Sequence, residues 1–305
     1  MSFDVRGRLA RSREGRMART LAGSAVLVTG ASSGIGRAAA LEFAAKGSKV
    51  ALLARDRRRL EAVAGEVHAA GGEPLVLTAD VTDRARAEAA VRSVVERWGR
   101  LDVLVNNAGY LVKGSVEECL PEDFERQMAV NYLGAVYLTK AALPVMRRQG
   151  NGSIINVSSI AGRVYLPSTA AYQASKAALR AFTLTLRAEL KGSGIAVSLI
   201  TPGRTQTGIA EAAAVRGISG ERHILGEMPA RRIARTVVSC AQRPCREVVL
   251  PLPLRPLALA YVLAPDLVES GLPRLQAGWA WLRRQGDGQQ AAAARLLERG
   301  RNRET

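Results

Sequence analysis

Seven short runs rich in Val, Leu, Ile and Ala punctuate this chain, and longer Ala-, Arg-, Leu- and Glu-rich segments separate them. The runs are Ala25–Thr29, Lys49–Ala54, Pro74–Ala79, Val103–Asn106, Ser153–Ser158, Ala196–Thr201 and Glu247–Leu250. A strand with one face in water alternates apolar and polar residues. These runs largely do not, so they predict strands covered on both faces. The intervening stretches predict helices near 35–46, 57–70, 83–98, 122–148 and 172–191. Such strand–helix repetition gives an α/β fold: a doubly wound, Rossmann-type, predominantly parallel sheet of about seven strands in a single domain.

The outer segments differ from this middle. Residues 1–21 predict a basic N-terminal arm, 22–250 the sheet-bearing domain, and 251–305 a C-terminal extension that is first Pro-rich and apolar, then Arg-rich. A helix is expected around 274–285, with a frayed end after it. Apolar residues make up 48% of the chain, enough for a large core. Seven of the seventeen net positive charges sit at the ends: residues 1–20 carry six Arg against Asp4 and Glu14, and residues 281–305 six Arg against three acids. No RNA- or DNA-binding motif accompanies that charge, so a solvated surface is favoured over a nucleic-acid partner. The chain begins without a long apolar segment of the secretory type. Its strongest apolar run in the extension, Pro256 to Pro265, is shorter than the roughly 20 residues that span a bilayer. Cys119, Cys240 and Cys245 form no CxxC pair or metal-ligand spacing and read as free thiols in a reducing, cytoplasmic setting. With only His68 and His223, neither a His-based metal site nor a Ser-His-Asp triad is expected, and no metal is assigned.

Candidate chemistry begins at Thr29-Gly30-Ala31-Ser32-Ser33-Gly34-Ile35-Gly36, between the first strand and first helix. Gly30 permits a tight turn, while Gly34 and Gly36 let a diphosphate and the neighbouring backbone come close. Backbone N–H groups and the helix dipole there attract negative charge. Far downstream, Tyr172 and Lys176 stand four apart on a predicted helix, hence on one face. A nearby ammonium makes a phenol acidic enough to exchange a proton with a carbonyl or alcohol. A Gly cluster or a Y-x3-K pair alone is weak. Their combination points to redox chemistry at a C–O bond.

Together these motifs resemble the short-chain dehydrogenases/reductases, in their single-domain branch, over about residues 22–250. The resemblance implies an NAD(P)-binding catalytic domain in which Ser32, Ser33 and Ile35 join the three glycines at the cofactor. It assigns Asp80 and Val81 to the adenine, and Asn106-Asn107-Ala108-Gly109 to the family's NNAG motif, with the backbone of Asn107, Ala108 and Gly109 against the adenosine ribose. It implies that Asn131 holds a water linking Lys176 to solvent, and that Ser159, 13 residues before Tyr172, donates a hydrogen bond to the reacting oxygen. Ser158 is assigned to structure. The resemblance further implies that Lys176 binds the nicotinamide ribose. Pro202-Gly203-Arg204-Thr205-Gln206-Thr207 resembles the family's PG-x3-T segment, with Thr205 at the carboxamide and Thr207 near the diphosphate; an aliphatic residue is usual where Thr205 stands. Residues 208–228 correspond to the family's substrate cap.

At the end of the second strand, Arg55 takes the place where an acid would bind a ribose 2′-hydroxyl, which favours the 2′-phosphate of NADP(H) over NAD(H), with Arg37 as helper. Asp56, directly after it, leaves NAD(H) open. The expected activity is interconversion of an apolar ketone or aldehyde and its alcohol. A 3-oxoacyl reductase and a non-catalytic NADP-sensing protein are the alternatives, and the intact Ser/Tyr/Lys set speaks against the latter. A homo-oligomer, dimer or tetramer, follows from the family. The stretch Leu252–Leu272 is read as a dimer contact or packing over the core, ahead of peripheral membrane contact or a lipid-facing substrate wall.

Overall fold

The computed structural model describes residues 19–165, 167–207, 209, 213–217 and 227–271. The arm up to residue 18, most of the substrate cap, Arg274, the helix expected at 274–285 and the Arg-rich end lie outside the described residues.

Seven strands form one parallel sheet: β1 (Ala25–Thr29), β2 (Lys49–Ala54), β3 (Glu73–Thr78), β4 (Val103–Asn106), β5 (Gly152–Val157), β6 (Ile195–Pro202) and β7 (Glu247–Leu250). Their order is β7-β6-β5-β4-β1-β2-β3, with every neighbouring pair parallel. The expected runs differ from these strands by no more than a residue or two. Between β1 and β4 the chain changes direction of travel across the sheet, which opens a crevice beyond the strand ends.

The absence of apolar–polar alternation now has its cause. Val26 and Val28 of β1 belong to one core, with α1 (Gly34–Ala44), α2 (Arg57–Ala69) and α7 (Ala230–Gln242). Ala25 and Leu27 belong to the opposite core, with α3 (Arg84–Trp98), α5 (Gly134–Gln149) and α6 (Ala170–Glu189). Both faces of the strand are thus removed from water.

The long middle helix is not uniform. It starts as α4 (Pro121–Met128), passes through a π-helical turn at Ala129–Leu133, and resumes as α5. Gly134 lies at the restart because a Cβ there would stand 2.8 Å from Val81 Cγ2. The helix therefore braces the loop that follows β3.

Helices α7 and α8 (Leu254–Leu263) were not anticipated. In α7, Ile233, Ala234, Val237, Val238 and Ala241 form a regular buried stripe, but it follows the Gly-interrupted cap sequence directly. In α8, Pro256 falls in the first turn, where an N–H has no intrahelical acceptor and proline is tolerated.

The segments beyond the sheet are partly absorbed into the domain. Arg19 donates from Nη1 to Gly152 O (2.8 Å) and from Nη2 to Gly194 O (3.1 Å), and Leu21 is buried. Ala258, Tyr261 and Val268 form a third core cluster with Val164, so the start of the extension packs on the loop between Ser159 and Tyr172. Leu252, Leu259, Val262, Leu263 and Leu267 point away from that contact and are exposed. Among the described residues, no helix is long and apolar enough to cross a membrane.

Candidate active site

The Gly-rich turn leaves β1 at Thr29 and enters α1 at Gly34. Gly30 and Gly34 have φ of +63° and +55°, left-handed values that favour glycine. Gly36 is required for a different reason: a Cβ there would lie 2.2 Å from Gly30 O. At the N-cap of α1, Ser33 makes no side-chain capping bond, and the first turn contains no acid. The first N–H groups of the helix are left for an external anion.

Thr29, which the sequence reading did not single out, ties this turn to the next motif. Its hydroxyl accepts from the N–H groups of Asn107 and Ala108, both at 2.9 Å, and Asn107 Nδ2 donates to Thr29 O at 3.0 Å. Asn106 points into the sheet. Its amide donates to Asn156 Oδ1 (2.8 Å), whose own amide donates to Thr183 Oγ1 (2.8 Å). This buried chain fastens β4, β5 and α6 together, so Asn106 is a brace. A Cβ on Gly34 would stand 3.0 Å from Thr207 Cβ, which puts the PG-x3-T segment against the Gly turn although 171 residues separate Thr207 from Gly36. Within that segment Thr205 Oγ1 donates back to Gly203 O at 3.0 Å.

At the far edge of β2 the Arg55–Asp56 ambiguity separates. Asp56 is the N-cap of α2: its Oδ1 accepts from Arg59 N at 3.0 Å, and Oδ2 pairs with Arg59 Nε at 3.3 Å. The side chain of Arg55 is 69% exposed, with Asp80 Oδ2 at 3.9 Å as a loose partner. Arg37 is tied to Glu66, Nε to Oε1 at 3.2 Å. Burial disfavours the Asp80 carboxylate, yet Thr82 and Arg126 hold its pKa below the ordinary value. Thr82 donates to Oδ1 from both N (3.0 Å) and Oγ1 (2.8 Å), and Arg126 donates to Oδ2 at 2.9 Å.

Ser159, Tyr172 and Lys176 meet beyond the end of β5. The turn Ile160–Gly162 packs so closely on α6 that a Cβ at Gly162 would lie 2.8 Å from Lys176 O. That contact brings Ser159 towards the Tyr172 phenol. Burial pushes the phenol up to about 12, and the Ser159 hydroxyl opposes this shift. Lys176 is 3% exposed, its Nζ 5.7 Å from the centre of the Tyr172 ring, and burial alone lowers its pKa to about 8. Nζ donates to Val157 O at 3.1 Å. A protonated lysine has three N–H donors, so this buried group retains capacity for further acceptors. Ser158 Oγ donates to Lys176 O at 3.0 Å, a structural bond as expected.

Asn131 lies in the π-helical turn with its side chain engaged. Its Oδ1 accepts from Tyr110 N (2.7 Å), and Nδ2 donates to Tyr110 O and Ser175 Oγ, both at 2.9 Å. Ser175 in turn donates to Tyr172 O at 2.7 Å. Both amide protons are thus used inside the protein.

The described part of the cap is held by a contact the sequence did not reveal. Asp123 accepts from Arg216 Nε (2.9 Å) and Nη2 (3.1 Å), a two-pronged pair that holds the Asp123 carboxyl below its usual range. Beside it, Ala214–Val215 pairs in parallel with Val112–Lys113. Distance along the chain hid this pair. Neither residue belongs to a recognisable motif.

The short chain dehydrogenase family matches residues 24–215. A dehydrogenase/reductase SDR family protein 7-like from Anopheles gambiae is 37% identical over 274 residues, covering 85% of each chain. The 11-beta-hydroxysteroid dehydrogenase 1A of Arabidopsis thaliana is 38% identical over 269 residues, 82% of this chain and 75% of that protein. Among solved structures, a short chain dehydrogenase/reductase from Burkholderia phymatum in complex with NAD superposes with a TM-score of 0.75 at 26% identity, covering 82% of this chain and 96% of that one. The chain therefore belongs to the short-chain dehydrogenases/reductases and is an oxidoreductase of the alcohol–carbonyl class.

Proposed function

We propose that the protein is an NADP(H)-dependent carbonyl reductase, reversible as an alcohol dehydrogenase, acting on an apolar ketone or aldehyde. The observation that carries this reading is that Ser159, Tyr172 and Lys176 gather at the same end of the parallel sheet as the uncapped N-terminus of α1. Those groups fit an anionic dinucleotide: an uncapped first turn for its diphosphate and a buried ammonium with donors to spare for ribose hydroxyls. Bound NADPH would supply the hydride.

The chain's own residues manage the proton. With its pKa near 12, Tyr172 is neutral at physiological pH, the state required to protonate an oxygen that is gaining negative charge. Ser159 donates a hydrogen bond to that same oxygen, stabilising charge as it develops. Lys176 offsets charge on the phenol once its proton has left. The Asn131 side chain positions α6 through Ser175, and the water of the relay is assigned to its main chain. Tyr165 and Tyr261, edge to face at 5.7 Å between ring centres, bring the extension beside the loop that carries Ser159. This apolar surround favours a hydrophobic substrate, as does the likeness to a hydroxysteroid dehydrogenase. The long helices α5 and α6 are the assigned contact of a homo-oligomer.

NADP is preferred because Asp56 is committed to capping α2, which leaves Arg55, exposed and only loosely paired with Asp80, as the charged side chain for the ribose position. Arg55→Ala is expected to weaken NADPH binding about tenfold to thirtyfold, the loss of one partly screened charge-assisted bond, and to leave NADH unchanged. Fluorescence titration with both cofactors checks this, and equal losses would remove the 2′-phosphate assignment. The function itself is tested by following NADPH and NADH oxidation against a panel of ketones, steroids and acyl thioesters. Turnover confined to thioesters would convert the reading to an oxoacyl reductase. Tight NADPH binding with no turnover across the panel would favour a cofactor sensor.

A further inference from the structure

Two of the three cysteines meet away from the candidate active site. Cys240 lies in the last turn of α7, 3% exposed and part of the core. Cys245 lies in the turn leading to β7 and is half-buried. Their Sγ atoms are 2.7 Å apart. The spacing, four residues between them, matches no CxxC pattern, which is why the sequence did not connect them. The turn is firmly held: Cys245 N donates to Ser198 Oγ at 3.1 Å, and Arg187 bridges Val197 O (2.8 Å) and Cys245 O (3.5 Å).

Cys245 faces an open groove of about 800 Å³ along the outer side of α7, lined by Arg231, Arg232, Arg235 and Arg243. Arg231 and Arg235 share one carboxylate, Glu42. Among the described residues, Arg232 and Arg243 have no ion-pair partner. The groove therefore carries unbalanced positive charge beside a thiol that solvent can reach. The Cys240 thiol next to it lowers the Cys245 pKa; burial opposes this, and Ser198 and Arg187 assist.

We infer that Cys240 and Cys245 form a reversible redox pair that takes its oxidising equivalents from a small anionic disulfide, a carboxylate-bearing peptide disulfide, seated in the arginine groove. The Cys245 thiolate attacks one sulfur of that disulfide, making a mixed disulfide and releasing one thiolate. The Cys240 thiol then loses its proton and attacks Cys245 Sγ, forming the Cys240–Cys245 bond and releasing the second thiolate. The pair is oxidised by two electrons, the small disulfide is reduced by two, and the two cysteine protons end on the released thiols. Closing the contact from 2.7 Å to the bonded separation of about 2.05 Å requires only a small side-chain shift.

The test treats the reduced full-length protein with oxidised glutathione or with cystamine, which is cationic, and reads intact mass and mapped peptides over time. The expected product has one Cys240–Cys245 disulfide and a free Cys119. Cys240→Ala is expected to stop at a mixed disulfide on Cys245, and Cys245→Ser to give neither species. At low salt, oxidised glutathione is expected to react about tenfold faster than cystamine, an effect of local charge on encounter. Arg232→Gln with Arg243→Gln should abolish that preference. A cross-link that forms with neither reagent, or modification confined to Cys119, overturns the pair. Equal rates with the two reagents overturn the anionic partner.

Discussion

Tyr172→Phe is expected to lower carbonyl reduction about a thousandfold, within the range that a positioned acid or base contributes, while NADPH still binds. The substitution deletes one oxygen and keeps the ring 5.7 Å from Lys176 Nζ. What disappears is the proton. The phenol, held near 12 by burial, is fully protonated at neutral pH and ready to donate. In the Phe variant the developing alkoxide retains only the hydrogen bond from Ser159. Lys176 is a poor substitute, because its ammonium lies over the ring, 5.7 Å from its centre, and already donates to Val157 O. Single-turnover reduction of the responsive carbonyl, paired with fluorescence binding of NADPH, separates chemistry from affinity. Wild-type turnover in this variant would remove Tyr172 as the acid. Equal collapse of binding would mean that the ring's packing had been disturbed instead.

Why the sequence revealed the sheet and suggested the candidate cluster but not their supports follows from where the information lies. Strand positions were legible because burial on both faces writes a continuous apolar run, as in β1 and β6. Tyr172 and Lys176 were legible because a helix converts spacing of four into a shared face. Ser159 was reached only through the family's spacing, since a serine after a strand carries no signal of its own. Thr29, Asn156 and Thr183 act through partners far away in the chain, and no local pattern announces such bonds. The same holds for Asp123 with Arg216. Helix α8 was obscured for another reason: Pro256 permits a helix only where it needs no N–H, and that position shows only once the helix start is known. Asp56 is the converse case. Its role as an N-cap obeys a rule readable from sequence, but proximity to Arg55 directed attention to the ribose.

Lys176→Met is expected to cost about a hundredfold in turnover near pH 7, where the lysine still carries its proton, and the loss in alcohol oxidation is expected to shrink as pH rises through 8. Oxidation needs the phenolate, and the ammonium is the cation that favours it. Without that charge the phenol holds its proton more tightly, so below pH 8 the variant contains less phenolate; above 8 the wild-type lysine loses its own proton and the two proteins converge. The loss is in the range measured for removing one group that stabilises charge in a water-excluded site. Stability should move the other way. The unfolded chain holds the Lys176 proton up to its ordinary value of 10.5, whereas the folded chain releases it near 8. Between those values the unfolded state binds more protons, so wild-type stability gains from this group as pH rises through 8 towards 10.5. Below 8 the folded protein carries the full penalty of a buried ammonium, and Met, similar in volume and apolar, removes it. The variant should therefore melt no lower than wild type at pH 7, with the difference shrinking above pH 8. Thermal melts across that range, beside pH–rate profiles for oxidation, read the two effects separately. An inactive variant that also melts well below wild type would place Lys176 in the fold. An unchanged oxidation profile would mean that some other cation lowers the phenol's pKa.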